Sequence, residues 1–521
     1  MKKNFLKNMH IQFRDYCNHT SVHGFQYFGE KNRHIVERIW WLIVFVICLA
    51  ACVISIYAVY KKWEESPVIV NFGNTRTPIY TIPFPAVTIC PEAKSDRRIF
   101  NFTEVVYKMV DGIPLNLSEK VRFEYMSLIC NQYPELNYTN NGTFSEEFYD
   151  VLKAVTPKFQ ILGCSFFEDV KDRCDKFYVP VITEEGICYS FNMLDGQEIY
   201  RNTVLPLKDY YQRPGFVYEN SSIWSLQDGY SENAGLYAYP IRAFSAGAKS
   251  GLTLNILTPS EDLDYTCKDA LQGYKVMLHT PMTIPRPSKK YFRVPLDQSV
   301  MGAIEPVMIT TSSRVKTYNY ERRKCFLSNE RQLRYFKNYT ASNCNLECLT
   351  NYTLDVCGCV NFYMPRENGT TICGTGQIEC MKSRESRLRK FYLTTKIENP
   401  GYFKEFDCNC LPLCTDLTYE VAISQINYEW KKRAFAQRRL PGVRANSHVS
   451  ALTLFFKSDG FITSERNELY GPIDFISNFG GLLGLFTGFS VLSLMEFFYF
   501  LSIRIICNVR LFGQWAVVEK E

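Results

Sequence analysis

Apolar residues concentrate in two long runs, one near each end of the chain. The first, Ile39 to Tyr60, reads IWWLIVFVICLAACVISIYAVY and carries no charge. It is long enough for one bilayer crossing, which takes about 20 residues. Trp40 and Trp41 at one end, and Tyr57, Tyr60 and Trp63 at the other, stand where interfacial anchors stand. The second run, Phe475 to Ile506, is also long enough to cross a bilayer but carries Ser477, Asn478, Gly480, Gly481, Gly484, Gly488, Ser490 and Glu496. At about 100° per residue, Ser477, Gly481, Gly484 and Gly488 share one narrow arc of a helix. Small residues let helix backbones approach closely, and an acid at membrane depth is costly unless it faces protein or water. The small-residue arc alone reads equally well as helix packing. Glu496 and a second span upstream favour the lining of a pore.

Between the runs the pattern changes repeatedly. PFPAVTIC, Pro83 to Cys90, reads as extended chain, and residues 101–155 read as polar-amphipathic helices of a surface layer. FQILGCSFF and TEEGICYSFN read as strands, whereas residues 214–245 are aromatic, Gly-rich and irregular. GLTLNIL (251–257) and GYKVMLHT (273–280) alternate as half-buried strands do, and residues 300–318 are strand-like again. After Cys325 the segments NERQLRYFKNY and NCNLECLTNYTLDV predict helices in a cysteine-dense block. SALTLFFKSDG (450–460) predicts a closing strand that leads into the second apolar run. The fold class expected is α+β: a large disulfide-rich domain with a central sheet connected to two flanking transmembrane helices.

Composition and charge fix the topology. With 46% hydrophobic and 21% charged residues, the 521-residue chain is neither disordered nor a many-span transporter. Its net charge of +6 is mild for this size and does not suggest nucleic acid. The first run is too long and too far from the start for a signal peptide, and no A-x-A-like site follows it. Residues 1–38 hold Lys2, Lys3, Lys7, Arg14, Lys31, Arg33 and Arg38 against Asp15, Glu30 and Glu37, which puts the N-terminus in the cytosol. Two spans return the C-terminus there. The expected division is a cytosolic segment 1–38, spans at 39–60 and 472–506, an extracellular domain 61–471 and a cytosolic tail 507–521, in the plasma membrane.

Two further patterns agree with this topology. N-x-[ST] sequons fall at Asn101, Asn116, Asn137, Asn141, Asn220, Asn338, Asn351 and Asn368, all on the outer side. Sixteen of the 20 cysteines lie there too, an even number in an oxidising compartment. The other four, Cys17, Cys48, Cys52 and Cys507, are expected to be free, or palmitoylated near the membrane. Cys357-x-Cys359 and Cys408-x-Cys410 are tighter than zinc-binding pairs, so disulfides are expected and no metal. Their connectivity does not follow from spacing. The outer segment holds only two histidines, His279 and His448, and lacks H-E-x-x-H, G-x-S-x-G and any phosphate loop. No enzyme and no cofactor are expected, and His279, in a strand-like run, is read as structural.

His23-Gly24 before the first span, PFPAVTICP, TEEGICYSFN, FYMPRENG, CNCLPLCTDLTYE, the block Cys325 to Cys414 and GGLLGLFTGFSVLSLMEFF occur in this order along the chain. Together they resemble subunits of the degenerin/epithelial sodium channel family, most closely its arthropod pickpocket branch. The resemblance implies homo- or hetero-trimeric, amiloride-type channels for sodium ions in the lipid bilayer. It also implies a hand-like extracellular domain, with a β-sheet palm, a helical finger and a cysteine-rich thumb at 325–414. Its selectivity motif falls on Gly488, Phe489 and Ser490, its gate on Ser477, Asn478 and Gly481, and its cytosolic gating motif on His23 and Gly24. Glu496 is the acid of the pore helix. The implied disulfides are Cys90–Cys188, Cys164–Cys174, Cys325–Cys414, Cys344–Cys410, Cys348–Cys408, Cys357–Cys380 and Cys359–Cys373, with Cys130 and Cys267 paired as the two left over. Acid-sensing relatives carry a Trp just before the first thumb cysteine. Here YNYERRKC offers Arg322 and Arg323 instead, which leaves Tyr318 or Tyr320 for that joint.

Two other readings compete: a two-span scavenger-type lipid receptor, which needs neither the tripeptide nor Glu496, and an auxiliary subunit that conducts only with a partner. The gating stimulus and any extracellular ligand are not legible. Acidic and basic residues of the outer domain nearly balance, and near-absent histidine leaves few sensors around neutral pH.

Overall fold

The structure, a computed structural model, describes residues 2–30, 33–65, 68–130, 142–166, 177–205, 210–211, 224–235, 238–268, 270–398, 408–436 and 446–513. It falls into two compact units. One comprises Met1–Val70, Ser312–Tyr318 and Arg466–Glu521, and the other Asn71–Thr311 and Asn319–Glu465.

The first unit is helical. Helix α1 (Lys2–His19) is followed by a short turn α2 (Gln26–Gly29) and by α3 (Ile35–Glu65). α3 contains the whole first apolar run and extends past it at both ends. At 1.5 Å per residue its 31 residues exceed the hydrocarbon thickness of about 30 Å. It stops in KKWEE, where charge replaces apolar surface, just before Pro67.

The second unit is built on two large sheets, beside two short two-stranded ones. The larger contains β1 (Val68–Pro78), β3 (Gln160–Phe166), β6 (Leu252–Pro259), β9 (Gln298–Thr311), β10 (Asp416–Asn427), β11 (Ser447–Phe456) and β12 (Gly460–Glu468). Its order is β1-β12-β9-β11-β6-β3, with β10 added on β9. β9 runs antiparallel to β10, with Gln298 opposite Asn427, and parallel to β11, with Ser299 opposite Ala451. β1 follows α3 in the chain and β12 leads to the second apolar run, so this sheet is joined covalently to both. The smaller sheet contains β2 (Ala86–Pro91), β4 (Tyr178–Thr183), β5 (Gly186–Phe191), β7 (Tyr274–His279) and β8 (Phe292–Val294), in the order β8-β7-β2-β5-β4.

The expected alternation is present in β6, where Leu252, Leu254 and Ile256 are buried and their neighbours half-buried. β7 differs, because every residue from Tyr274 to His279 is buried. It lies inside the sheet between β2 and β8, with both faces covered, so its polar side chains find partners within the protein. Phe84, from PFPAVTIC, joins the two sheets. Its ring meets Phe166 and Phe456 of the larger sheet edge-on at 5.2 and 5.5 Å and Phe191 of the smaller at 6.3 Å. Each fully buried ring of this kind contributes roughly 1.5–3 kcal/mol.

The helical layer at 101–155 contains α4 (Phe102–Val110), α5 (Leu117–Met126) and α6 (Glu147–Val155). One side of each is apolar and buried, through Phe102, Val105, Phe123, Met126, Phe148 and Leu152. The cysteine-rich block contributes α7 (Ala341–Cys357) and α8 (Ile378–Glu398). The helix expected over NERQLRYFKNY is absent: residues 329–339 form turns and irregular chain. Side chains explain why. Glu347 accepts from the backbone N–H of Arg334 and of Tyr335, and Arg331 donates to the carbonyls of Cys408 and Asn409, which fixes a non-helical path.

Seven disulfides join Cys90–Cys188, Cys130–Cys267, Cys325–Cys414, Cys344–Cys410, Cys348–Cys408, Cys357–Cys380 and Cys359–Cys373. Cys164 is also disulfide-bonded, while Cys174 lies outside the described residues. The Cys130–Cys267 bridge, with Cα atoms 4.4 Å apart, ties the chain just beyond α5 to the segment before β7. Cys17, Cys48, Cys52 and Cys507 are free.

His279 is structural, as its strand position suggests. It is buried, with Nδ1 3.0 Å from the Thr280 carbonyl and Nε2 2.7 Å from Thr88 Oγ1. A carbonyl only accepts, so Nδ1 carries the proton. Burial pushes this histidine from 6.5 down to about 4. Its folded pKa lies below its unfolded one, so the unfolded chain binds the extra proton first. Stability should therefore fall as pH drops from about 6.5 to 4, by on the order of 3 kcal/mol from this group. Urea unfolding of the purified chain at pH 7 and pH 5 should show the loss, and His279→Gln should flatten it.

A second buried cluster surrounds Glu185. Lys275 Nζ donates to it at 2.7 Å, and Lys94 and Lys268 lie 3.4 and 3.5 Å away. Burial alone would raise this carboxyl, but Lys94, Lys268 and Lys275 hold it down at about 2. Lys94 is itself wholly buried, and desolvation lowers it to about 8 against the attraction of Glu185.

Candidate functional site

The second apolar run is one helix only as far as Thr487. Helix α9 (Pro472–Thr487) starts where the Gly471 N–H donates to Asp474 Oδ2 at 3.0 Å, with Pro472 in the first turn. It ends at Gly488, which is left-handed (φ +68°, ψ 11°) and whose N–H closes on the Gly484 carbonyl at 2.9 Å. Ser490 is extended and opens helix α10 (Val491–Phe498). Its Oγ accepts from the Ser493 N–H at 3.2 Å, and its own N–H donates to Ser493 Oγ at 3.1 Å. The two caps place a break at Gly488-Phe489-Ser490. Such a break strips helical partners from the last carbonyls of α9. Beyond α10 come a π-helical turn, Tyr499–Ile503, and α11 (Arg504–Phe512).

The N-terminal segment folds against this break. The His23 N–H donates to the Thr487 carbonyl at 3.0 Å. The imidazole occupies the space beside Gly488: a Cβ built on Gly488 would lie 2.8 Å from His23 Cγ and Nδ1. Gly488 is thus required twice, for its positive φ and for this close approach. Gly24 also has a positive φ, +88°, which turns the chain back toward α3. Glu496 is engaged by the same segment. Its Oε2 accepts from the Ser21 N–H at 3.0 Å and from Ser21 Oγ at 3.1 Å, and Ser21 Oγ also lies 2.7 Å from Ser493 Oγ. A carboxylate on an otherwise apolar helix thereby has protein donors.

α1 braces the arrangement. Tyr16 meets Phe25, Phe497 and Phe500 edge-on at 5.6–6.2 Å. Gln12 donates to the Phe500 carbonyl in the π turn at 2.9 Å, and Arg504 pairs with Asp15 at 3.3 Å. Tyr27 stacks on Trp41 of α3, with centroids 4.1 Å apart. Neither α1 nor these contacts were expected from the sequence. The available signal was the helical spacing of Met9, Phe13, Tyr16 and Cys17, in a segment read only for its charge.

Ser477, Asn478 and Gly481 lie on α9, away from the break, and all are exposed in the single chain. Built Cβ atoms at Gly480, Gly481 and Gly484 meet nothing within 4 Å. α9 turns another side to α3, through Phe475, which lies 5.3 Å from Trp63. The small-residue arc is therefore an open face. Of the residues read for the joint before the thumb, Tyr318 donates to Glu468 Oε1 at 2.7 Å, while the Tyr320 ring lies tilted against Phe326, with centroids 5.1 Å apart. Arg323 is buried against Glu330.

Of the sequons, Asn137, Asn141 and Asn220 lie outside the described residues. Asn351 and Asn368 are exposed, and Asn338 is half-buried with Nδ2 3.4 Å from the Glu198 carbonyl. Asn101 and Asn116 cap α4 and α5 through Oδ1, which accepts from Glu104 N at 3.2 Å and Glu119 N at 2.7 Å. A glycan attaches at Nδ2, so both caps survive modification. Among the described residues no group of three or more His, Cys, Asp or Glu is placed to hold a metal ion.

Comparison with known proteins agrees with this architecture. The family model described as amiloride-sensitive sodium channel matches residues 16–500. Pickpocket protein 28 of Drosophila melanogaster is 28% identical over 508 residues, covering 96% of this chain and 79% of that protein. Sodium channel protein Nach of the same species is 22% identical, covering 97% of this chain and 90% of the relative. The human bile acid-sensitive ion channel is 20% identical, covering 96% and 89%. The match takes in both long apolar helices, the β-rich disulfide-bonded domain between them and the broken second helix. The chain belongs to the amiloride-sensitive sodium channel family, whose members are membrane ion channels and not enzymes.

Proposed function

We propose that this protein is a subunit of a trimeric, sodium-selective, amiloride-type channel, with both termini in the cytosol and gating driven through the extracellular domain at 61–471. The observation that carries the proposal is the break at Gly488-Phe489-Ser490. Irregular backbone at membrane depth is tolerated where it lines a water-filled path, and carbonyls released there can replace part of an ion's water shell. The open face of Ser477, Gly481 and Gly484 supports assembly, since backbones of neighbouring copies can approach along it. His23-Gly24 supports the break from the cytosolic side. Ser477, Asn478 and Gly481 form the gate, nearer the outer end of α9. The lipid-receptor reading offers no reason for a broken span with an acid held by Ser21.

Expression with voltage-clamp recording tests this. Amiloride-blocked inward current carried by Na⁺ in preference to K⁺ is expected, either alone or on co-expression with a pickpocket relative if this subunit conducts only with a partner. Ser490→Ala should shift the Na⁺/K⁺ reversal potential or abolish current. Ser477→Phe, which adds bulk on the open face, should hold the pore open and give constitutive Na⁺ current. A Ser477→Phe protein that reaches the surface and stays closed would contradict the gate assignment.

A further inference from the structure

A cavity of about 520 Å³ lies between α7 and α8, bounded also by residues 408–411 and by Arg286 and Lys289. Its lining combines two chemistries. Leu349, Leu388 and Leu411 are apolar, and Leu349 is buried. Beside them three cations converge on the Glu385 carboxylate. Arg286 Nη2 lies 3.4 Å from it, Arg389 Nη2 3.3 Å, and Lys289 Nζ is in direct contact. Arg286 is more than nine-tenths buried and is oriented by Glu184, to which Nη2 and Nε donate at 3.1 and 3.3 Å. Lys289 and Arg389 keep 38% and 65% of their side-chain surface exposed, so their remaining donors face an incoming molecule. Lys390 extends the positive surface into an adjoining hollow of about 630 Å³ that shares Lys289, Glu385 and Arg389.

A solvated helix face of mixed charge would have neither a buried guanidinium at its base nor leucines beside it. Glu184 and Glu385 together supply two negative charges against the three cations Arg286, Lys289 and Arg389, so the surplus is positive. We propose that this cavity binds an amphipathic organic anion, with a carboxylate, sulfonate or sulfate group against Lys289, Arg389 and Arg286 and an apolar body of one or two rings on the leucines. Size, concavity and a few convergent polar groups beside apolar lining are what such sites require. A planar guanidinium suits a bidentate oxyanion, and the buried one is already oriented. The inference is independent of ion conduction, because it concerns binding to the extracellular domain alone.

The test uses the purified full-length protein in nanodiscs, with 2-naphthalenesulfonate as the probe and calorimetric or thermal-shift titration as the readout. Saturable binding is expected to this probe. Uncharged 2-naphthalenemethanol and inorganic sulfate, each carrying half of the chemistry, should bind at least about tenfold more weakly. Lys289→Gln with Arg389→Gln should weaken the probe by about tenfold or more, since both side chains are partly exposed and the fold does not depend on them. Arg387→Gln, on the exposed side of α8 and outside the cavity, should change nothing. Equal binding of the uncharged probe, equal binding by the double variant, or no saturable binding would each overturn the proposal.

Discussion

Replacing Gly488 by alanine should silence the channel while the protein still reaches the cell surface. Two costs fall on one methyl group. A left-handed conformation disfavours any residue with a Cβ by about 1–2 kcal/mol. The new carbon would also sit 2.8 Å from the His23 ring, closer than real Cβ contacts come. The structure must yield at the break or at the loop beneath it, and either shift moves the carbonyls proposed to meet the ion. Whole-cell current normalised to surface-biotinylated protein should fall by about tenfold or more, the effect of roughly 1.4 kcal/mol on the conducting geometry. The double variant Gly488→Ala with His23→Ala separates the two costs. It removes the clash and leaves the backbone strain, so partial recovery assigns the loss to the ring contact. Wild-type current density in Gly488→Ala would mean that the break is not where ions pass.

Replacing Glu185 by glutamine should prevent normal maturation of the disulfide-bonded domain. Three lysines within 3.5 Å would lose the carboxylate they share in a buried site. Breaking a buried ion pair from one side costs about 3–5 kcal/mol, a large part of the stability of a typical domain. Lys94→Met should behave oppositely. Lys268 and Lys275 still neutralise Glu185, and a wholly desolvated ammonium is removed, so stability should stay level or rise. The acid limb distinguishes the two variants. Glu185 is held down at about 2 when folded, so its contribution is complete above about pH 4.5 and is lost as pH falls through 2. Denaturation followed from pH 5 to pH 2 should show that loss in the wild type and in Lys94→Met, and not in Glu185→Gln. A Glu185→Gln protein as stable as the wild type would show that water or backbone groups carry the lysines instead.

Long-range patterns were the legible part of this molecule. The charge-free stretch 39–60 and the run after Phe475 announce two long apolar helices, because lipid leaves little choice of residue. Strands such as β6 were legible from alternation. β7 was less so, because burial on both faces leaves no pattern of period two. Residues 329–339 misled for another reason: their helix-like spacing is overridden by Glu347 and Arg331, which bind the backbone from distant points in the chain. The site divided in the same way. The tripeptide 488–490 was legible by resemblance, whereas propensity alone would carry one apolar helix straight through Phe489. That His23 fills the space beside Gly488, and that Ser21 donates to Glu496, depends on two segments 465 or more residues apart meeting in space. No local pattern records that meeting.

The nested bridges of the cysteine-rich block give this part of the chain an unusual covalent topology. Cys325–Cys414 encloses Cys344–Cys410, which encloses Cys348–Cys408. A protease that cuts once anywhere between residues 325 and 414 therefore opens a ring without dividing the molecule, and the two ends run together on a gel until a reductant is added. The sequence from Met381 to Asp407 contains no cysteine, although it holds Arg384, Arg387, Arg389 and Lys390. Two cuts there would release a basic peptide from α8 and leave every staple in place. A trypsin-like enzyme that reaches this segment thus has a way to edit the surface of the domain irreversibly without dismantling its frame.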